Sequence, residues 1–216
     1  MAARLLAHHN PETVASPWVN WNRDWQSRWT PVEVGSLWWI APDGESAPPP
    51  PGRLRLTYHA GTAFGNGDHP TTHLCLEVLE RLRPGEVFLD VGCGSGLLLE
   101  AARLMGARLA AGCDTDRSAV VDARRRGGDV MAGSLDAIAG ASVDVAVMNI
   151  HLAVIRELVR DFLRILRPGG WGVVSGFLEE QREEVRRLGL PVESVQSRDG
   201  WCAAVIRPGA DSPPRG

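Results

Sequence analysis

A chain of 216 residues with a net charge of −3 has the length of one domain with appendages, and it lacks the overall field that draws a protein to nucleic acid or to an anionic membrane. Cys75, Cys93, Cys113 and Cys202 fall at no zinc-ligand or disulfide-framework spacing, which excludes a stapled secreted module and fits a reducing compartment. No apolar run approaches the ~18 residues of a membrane span and no signal-type core opens the chain, so the expected location is cytoplasmic. All 23 basic residues are arginine, which reads as a compositional habit rather than a site.

Residues 1–15 carry no periodic pattern and read as loose. Ser16 followed by Pro17 forms an N-cap with proline at the first helical position. Trp18, Trp21, Trp25 and Trp29 then recur at intervals of three, four and four, which gathers them within about 80° on one side of a short helix. That stripe either packs the helix on the main domain or presents a docking face to a protein partner. Val34–Ala41 (VGSLWWIA) reads as a strand, and Leu54–Tyr58 (LRLTY) as another. The Pro48–Pro51 run between them cannot join a ladder and reads as a stiff exposed spacer. Gly61, Gly65 and Gly67 make a backbone-rich loop. Asp68 or His69 caps the helix after it, with Pro70 in the first turn and Leu74, Leu76, Val78, Leu79 and Leu82 on its apolar side.

From Glu86 onward, strands and helices alternate. Strands are expected at 86–91, 108–114, 129–132, 143–148 and 171–175, with helices over 96–106, 116–126, 151–166 and about 178–188. Val192–Gln196 and Cys202–Ile206, joined through Asp199-Gly200, form a terminal antiparallel pair. Such alternation implies a three-layer α/β domain with right-handed crossovers. Arg124–Arg126 reads as a solvated helix terminus, and 208–216 as a disordered tail.

The chemistry concentrates in EVFLDVGCGSG at 86–96: a buried strand, then Gly92, Gly94 and Gly96, then a helix start whose free N–H groups face outward. Asp114 ends the next strand, close to the ~20 residues downstream at which an acid grips ribose hydroxyls. The pattern G-x-G-x-G is one residue shorter than the dinucleotide fingerprint, which disfavours a nicotinamide cofactor. A plain tight turn, with Asp114 as a helix cap, is the alternative.

Four stretches, DWQSRWTPVEVG at 24–35, AFGNGDHPTTHLCLEVLE at 63–80, FLDVGCGSGLL at 88–98 and MNIHL at 148–152, resemble the bacterial ribosomal protein L11 methyltransferases (PrmA). LRPGG at 166–170, SGFL at 175–178 and DGWCAAVIR at 199–207 agree, so the likeness spans about residues 20–207. The resemblance implies a Rossmann-like class I methyltransferase: a mostly parallel seven-stranded sheet with a C-terminal antiparallel strand and helices on both faces. It implies S-adenosyl-L-methionine as cofactor, bound through Thr72, Gly92, Gly94, Asp114 and Asn149, with no metal. Asn149 is the expected catalytic residue, its carbonyl orienting an acceptor amine; His69 and His151 are weaker candidates for the base. The implied acceptor is an amino group of a protein such as a ribosomal protein, with no direct contact to nucleic acid or membrane. A small-molecule acceptor, or a non-catalytic binding module, is the alternative. The expected division is an N-terminal extension at 1–57, a cofactor-binding domain at 58–207 and the tail. The family's asparagine motif continues Leu-Ala where this chain has His151-Leu152. The family's separate N-terminal recognition domain is expected to be missing, since few residues precede residue 18.

Overall fold

The computed structural model describes residues 30–58 and 67–209. The tryptophan stripe at 18–29, the segment 1–15, Gly61 and Gly65, and residues 210–216 lie outside the described residues. A small sheet comes first, made of β1 (Val32–Val34), β2 (Trp38–Pro42) and β3 (Leu54–Tyr58). Helix α1 (Pro70–Leu82) then leads to β4 (Val87–Val91), α2 (Leu97–Leu104), β5 (Leu109–Asp114), α3 (Arg117–Arg125) and β6 (Asp129–Ala132). The chain continues through β7 (Val143–Asn149), α4 (Leu152–Ile165), β8 (Leu166–Leu178), α5 (Arg182–Arg187), β9 (Val192–Arg198) and β10 (Trp201–Ile206).

The large sheet runs β6-β5-β4-β7-β8-β10-β9, parallel from β6 through β8, with β10 antiparallel to both its neighbours. Its central strands are apolar on both faces because both faces are covered. Phe88, Val145 and Val147 pack into one core with α1 and α2, while Leu89, Ala146 and Met148 pack into the other with Phe162 of α4. The order reverses at β4, whose crossovers leave toward β5 on one side and whose other neighbour is β7. A crevice therefore opens at the carboxyl ends of β4 and β7. Asp199 and Gly200, at φ +50° and +79°, make the two-residue turn that joins β9 to β10, as the Asp-Gly pair implies.

Three local expectations are corrected. Val34–Ala41 is not one strand: it folds back at Gly35–Leu37, and β1 pairs antiparallel with β2. Glu80 of α1 causes the break, its carboxylate accepting from Ser36 N (3.0 Å), Ser36 Oγ (2.8 Å) and Leu37 N (3.0 Å). Trp38 Nε1 also donates to Leu76 O at 3.2 Å, so β2 is anchored on the same helix. The strand expected at 171–175 starts earlier and ends later, because β8 runs from Leu166 to Leu178 and takes in Gly169-Gly170. Val143 faces Leu166 and Val145 faces Trp171, so the glycines occupy a bulge, where a Cβ on Gly170 would meet the carbonyls of Arg167, Asp144 and Val143. Arg126 is not solvated: its side chain is 5% exposed, pairs with Glu100 at 3.1 Å and donates to the carbonyl of Thr57. β3 and α2 converge on that position, which no local pattern announces. No helix among the described residues is long and apolar enough to cross a membrane.

Candidate functional site

β4 ends at Val91 and the chain turns through Gly92–Gly96 into α2. Gly92 has φ +70°, and a Cβ there would stand 2.4 Å from Ile150 Cγ2, so no other residue passes this point without moving its neighbour. Gly92 N and Cys93 N both donate to Cys113 O, at 2.8 and 3.1 Å, which ties the loop to the end of β5. Asp114 follows directly. One of its carboxylate oxygens accepts from Gly94 N and the other from Asp116 N, each at 2.9 Å. A carboxylate has about four lone-pair sites, so two stay available to a ligand. Asp116, not Asp114, caps α3 by accepting from Ser118 N at 2.8 Å.

Asp114 and the glycine loop line a cleft of about 640 Å³, together with Asn149, His151, Glu157 and Trp201. Asn149 is the last residue of β7, only 8% exposed, and its Oδ1 has no hydrogen-bond partner among the described residues. The turn after it is held by Ile150 N donating to Ser175 O at 3.1 Å. Gly176 makes that approach possible: at φ +97°, its Cβ would sit 2.1 Å from Ile150 O. Gly176→Ala therefore combines backbone strain with a steric collision, each worth about 1–3 kcal/mol. We expect a lower melting temperature in thermal unfolding and weakened ligand binding. A variant melting with wild type would contradict the close approach.

Thr72 lies in the first turn of α1 and lines a separate cavity of about 20 Å³ behind the glycine loop, which also touches Asp90. This space shares Gly92 and Asn149 with the main cleft, and the buried Thr72 Oγ1 also lacks a partner among the described residues. Volume of that order holds one water-sized group. Thr72, Gly92, Gly94, Asp114 and Asn149 are thus gathered around one loop, with Thr72 on its inner side.

Asp90 is 2% exposed, and burial, reinforced by the Asp114 charge, pushes its carboxyl up to about 8 from 3.8. Between about pH 4 and pH 8 the unfolded chain gives up a proton that the folded chain keeps. The folded state loses stability across that window and levels out above it. At about 1.4 kcal/mol per pH unit, the loss reaches several kcal/mol. Asp90→Asn, a neutral isostere, should melt higher than wild type at pH 8 and match it near pH 4, with no ligand added. Equal melting temperatures at both pH values would show Asp90 ionised in the fold.

His69 is the N-cap of α1. Its Nδ1 accepts from Thr71 N at 3.3 Å, and its ring meets Trp201 edge-on, with centroids 4.8 Å apart. Burial holds its pKa below the ordinary value, so the ring is neutral at pH 7 with Nδ1 as acceptor and the proton on Nε2. That arrangement suits a cap and leaves no free basic nitrogen. His151 stands exposed at the cleft rim, at the start of α4, with no side-chain capping bond. Sequence reasoning gave no site role to Gly176, Trp201 or Glu157. A glycine inside a strand was the available signal for Gly176, whereas Trp201 and Glu157 carry no local mark of a site.

The strand order, the glycine loop and the acid ending β5 define the Rossmann-like fold of class I methyltransferases. A family model described as ribosomal protein L11 methyltransferase (PrmA) matches residues 6–208. The chain is 38% identical over 212 residues to a ribosomal protein L11 methyltransferase from Gloeobacter violaceus, covering 90% of this chain and 65% of that protein. It is 38% identical over 198 residues to another of that name from Cupriavidus taiwanensis, covering 88% and 66%. The chain belongs to the ribosomal protein L11 methyltransferase (PrmA) family, and it spans just under two thirds of the length of these two relatives. The crystal structure of a ribosomal protein L11 methylase from Lactobacillus delbrueckii subsp. bulgaricus has the same fold, with a TM-score of 0.75 at 22% identity, covering 82% of this chain and 98% of that one.

Proposed function

We propose that this chain is an S-adenosyl-L-methionine-dependent methyltransferase acting on amino groups of a protein, with ribosomal protein L11 as the first acceptor to test. One observation carries the reading: Asp114, with two carboxylate sites left for a sugar, and Asn149, with an orphaned acceptor oxygen, line the same cleft above the glycine loop. The cofactor fits the residues present. Asp114 would take the ribose hydroxyls, and the Gly92 and Gly94 backbone would admit the amino-acid tail. Asn149 offers a buried oxygen without a partner among the described residues, while Thr72 lines the small cavity behind the loop rather than the cleft itself.

The bound cofactor supplies an electrophilic methyl group on a sulfonium. The chain supplies positioning, which can contribute roughly 7–11 kcal/mol in a displacement without a covalent intermediate. The attacking amine must be neutral. For a lysine with a pKa near 10.4, losing the proton at pH 7 costs about 4.6 kcal/mol, and desolvation beside a positive charge recovers part of it. Asn149 Oδ1 would accept an N–H of the neutral amine and so hold the amine's lone pair in orientation for attack. His69 keeps its cap, so the proton leaves through the rim, where His151 stands.

In this reading residues 58–207 form the cofactor-binding domain, and residues 1–57 an extension whose strands β1 and β2 pack on α1. A ribosomal acceptor places the chain in the cytoplasm. Incubation with labelled cofactor and purified L11, followed by mass spectrometry, tests the proposal: methyl groups on amino nitrogens of L11 support it. Label recovered only in small molecules would replace it with a small-molecule methyltransferase.

A further inference from the structure

The charges that line the cleft have one sign among the described residues. Among the described residues, the charged side chains of its wall include the carboxylates of Asp114, Asp116 and Glu157 and no arginine, in a chain that carries 23 arginines. Asp114 and Asp116 are engaged in holding the loop and capping α3. Glu157 has no ion pair or hydrogen bond to any described residue, although Arg156 beside it pairs with Glu184. It is exposed and lines the cleft from α4.

Val154 and Leu158 line the cleft from the same helix, four residues apart on one face, and His151 lines it from the helix's N-cap. Val154 is 40% exposed, one of four large apolar side chains open to solvent among the described residues. The α4 wall is thus an apolar ledge with a free carboxylate beside it. The floor of the same cleft offers Asn149 Oδ1, an acceptor atom in a residue only 8% exposed and without a donor among the described residues. Floor and wall both call for a ligand rich in N–H groups and positive charge. An anionic acceptor would meet these carboxylates with no arginine among the described lining residues to offset them.

Taking the cleft as the site of methyl transfer, we propose that Glu157 is a specificity-determining residue. It holds the positive charge of a lysine-like acceptor against α4 as the amine enters, while the acceptor's aliphatic stem lies along Val154 and Leu158. Partly exposed pairs of this kind change affinity by about two- to fivefold and weaken as salt rises.

The test is calorimetric titration of the full chain with tetralysine and with fully acetylated tetralysine, at low and high salt. Wild type should bind the charged peptide more tightly than the acetylated one. Glu157→Gln should weaken tetralysine binding about three- to fivefold, Glu157→Lys about tenfold or more, and Glu157→Asp should stay near wild type. In turnover, KM for the acceptor should rise by the same factors with kcat unchanged, which a merely structural role would not produce. Equal tetralysine affinity in wild type and Glu157→Gln overturns the proposal, as does wild-type binding that ignores acetylation. Failure of all variants to bind S-adenosylmethionine strikes the proposed function instead, and is read in a separate titration.

Discussion

Replacing Asp114 by alanine is expected to weaken S-adenosylmethionine binding by about 100-fold or more. Hydrogen bonds to a charged group contribute about 1.5–3 kcal/mol each, and two ribose hydroxyls facing one carboxylate put the loss at roughly 3–6 kcal/mol. Part of that loss has another origin, because Asp114 also accepts from Gly94 N and Asp116 N, and removing it loosens the loop. A double cycle separates the two. Against a cofactor analogue whose ribose lacks both hydroxyls, wild type should lose most of its affinity, while the Asp114→Ala variant should lose little more. If both proteins discriminate equally between cofactor and analogue in calorimetry, Asp114 serves only to hold the loop.

The second large effect falls on turnover. Asn149→Ala should reduce kcat by about 100- to 1000-fold, in line with the loss of one preorganised polar group at a reacting centre. Asn149→Asp keeps an acceptor oxygen in place and should fall between alanine and wild type, despite its added charge. Steady-state rates with saturating cofactor and acceptor give the ranking. An alanine variant as fast as wild type would remove Asn149 from the orientation of the amine.

What the sequence disclosed and what it hid follow one physical divide. β3 and β6 are found at 54–58 and 129–132 as read, because apolar patterning and turn residues are properties of neighbours in the chain. The meeting of Gly92, Asp114 and Asn149 at one cleft was legible because each stands at the carboxyl end of a parallel strand, and the alternating pattern puts those ends side by side. The fold-back at Gly35–Leu37 was not legible, since its cause is a carboxylate 44 residues away. Arg126 looked like part of a solvated cluster until β3 and α2 enclosed it. Glu157 was hidden for the same reason: nothing in α4's own periodicity distinguishes a carboxylate facing solvent from one facing a cleft built by other strands.

Uptake of S-adenosylmethionine by the chain tests the central claim most directly. Equilibrium dialysis with labelled cofactor should give saturable binding of one molecule per chain, displaced by S-adenosylhomocysteine and not by NAD. Uptake that does not saturate, or that NAD displaces equally well, would contradict it.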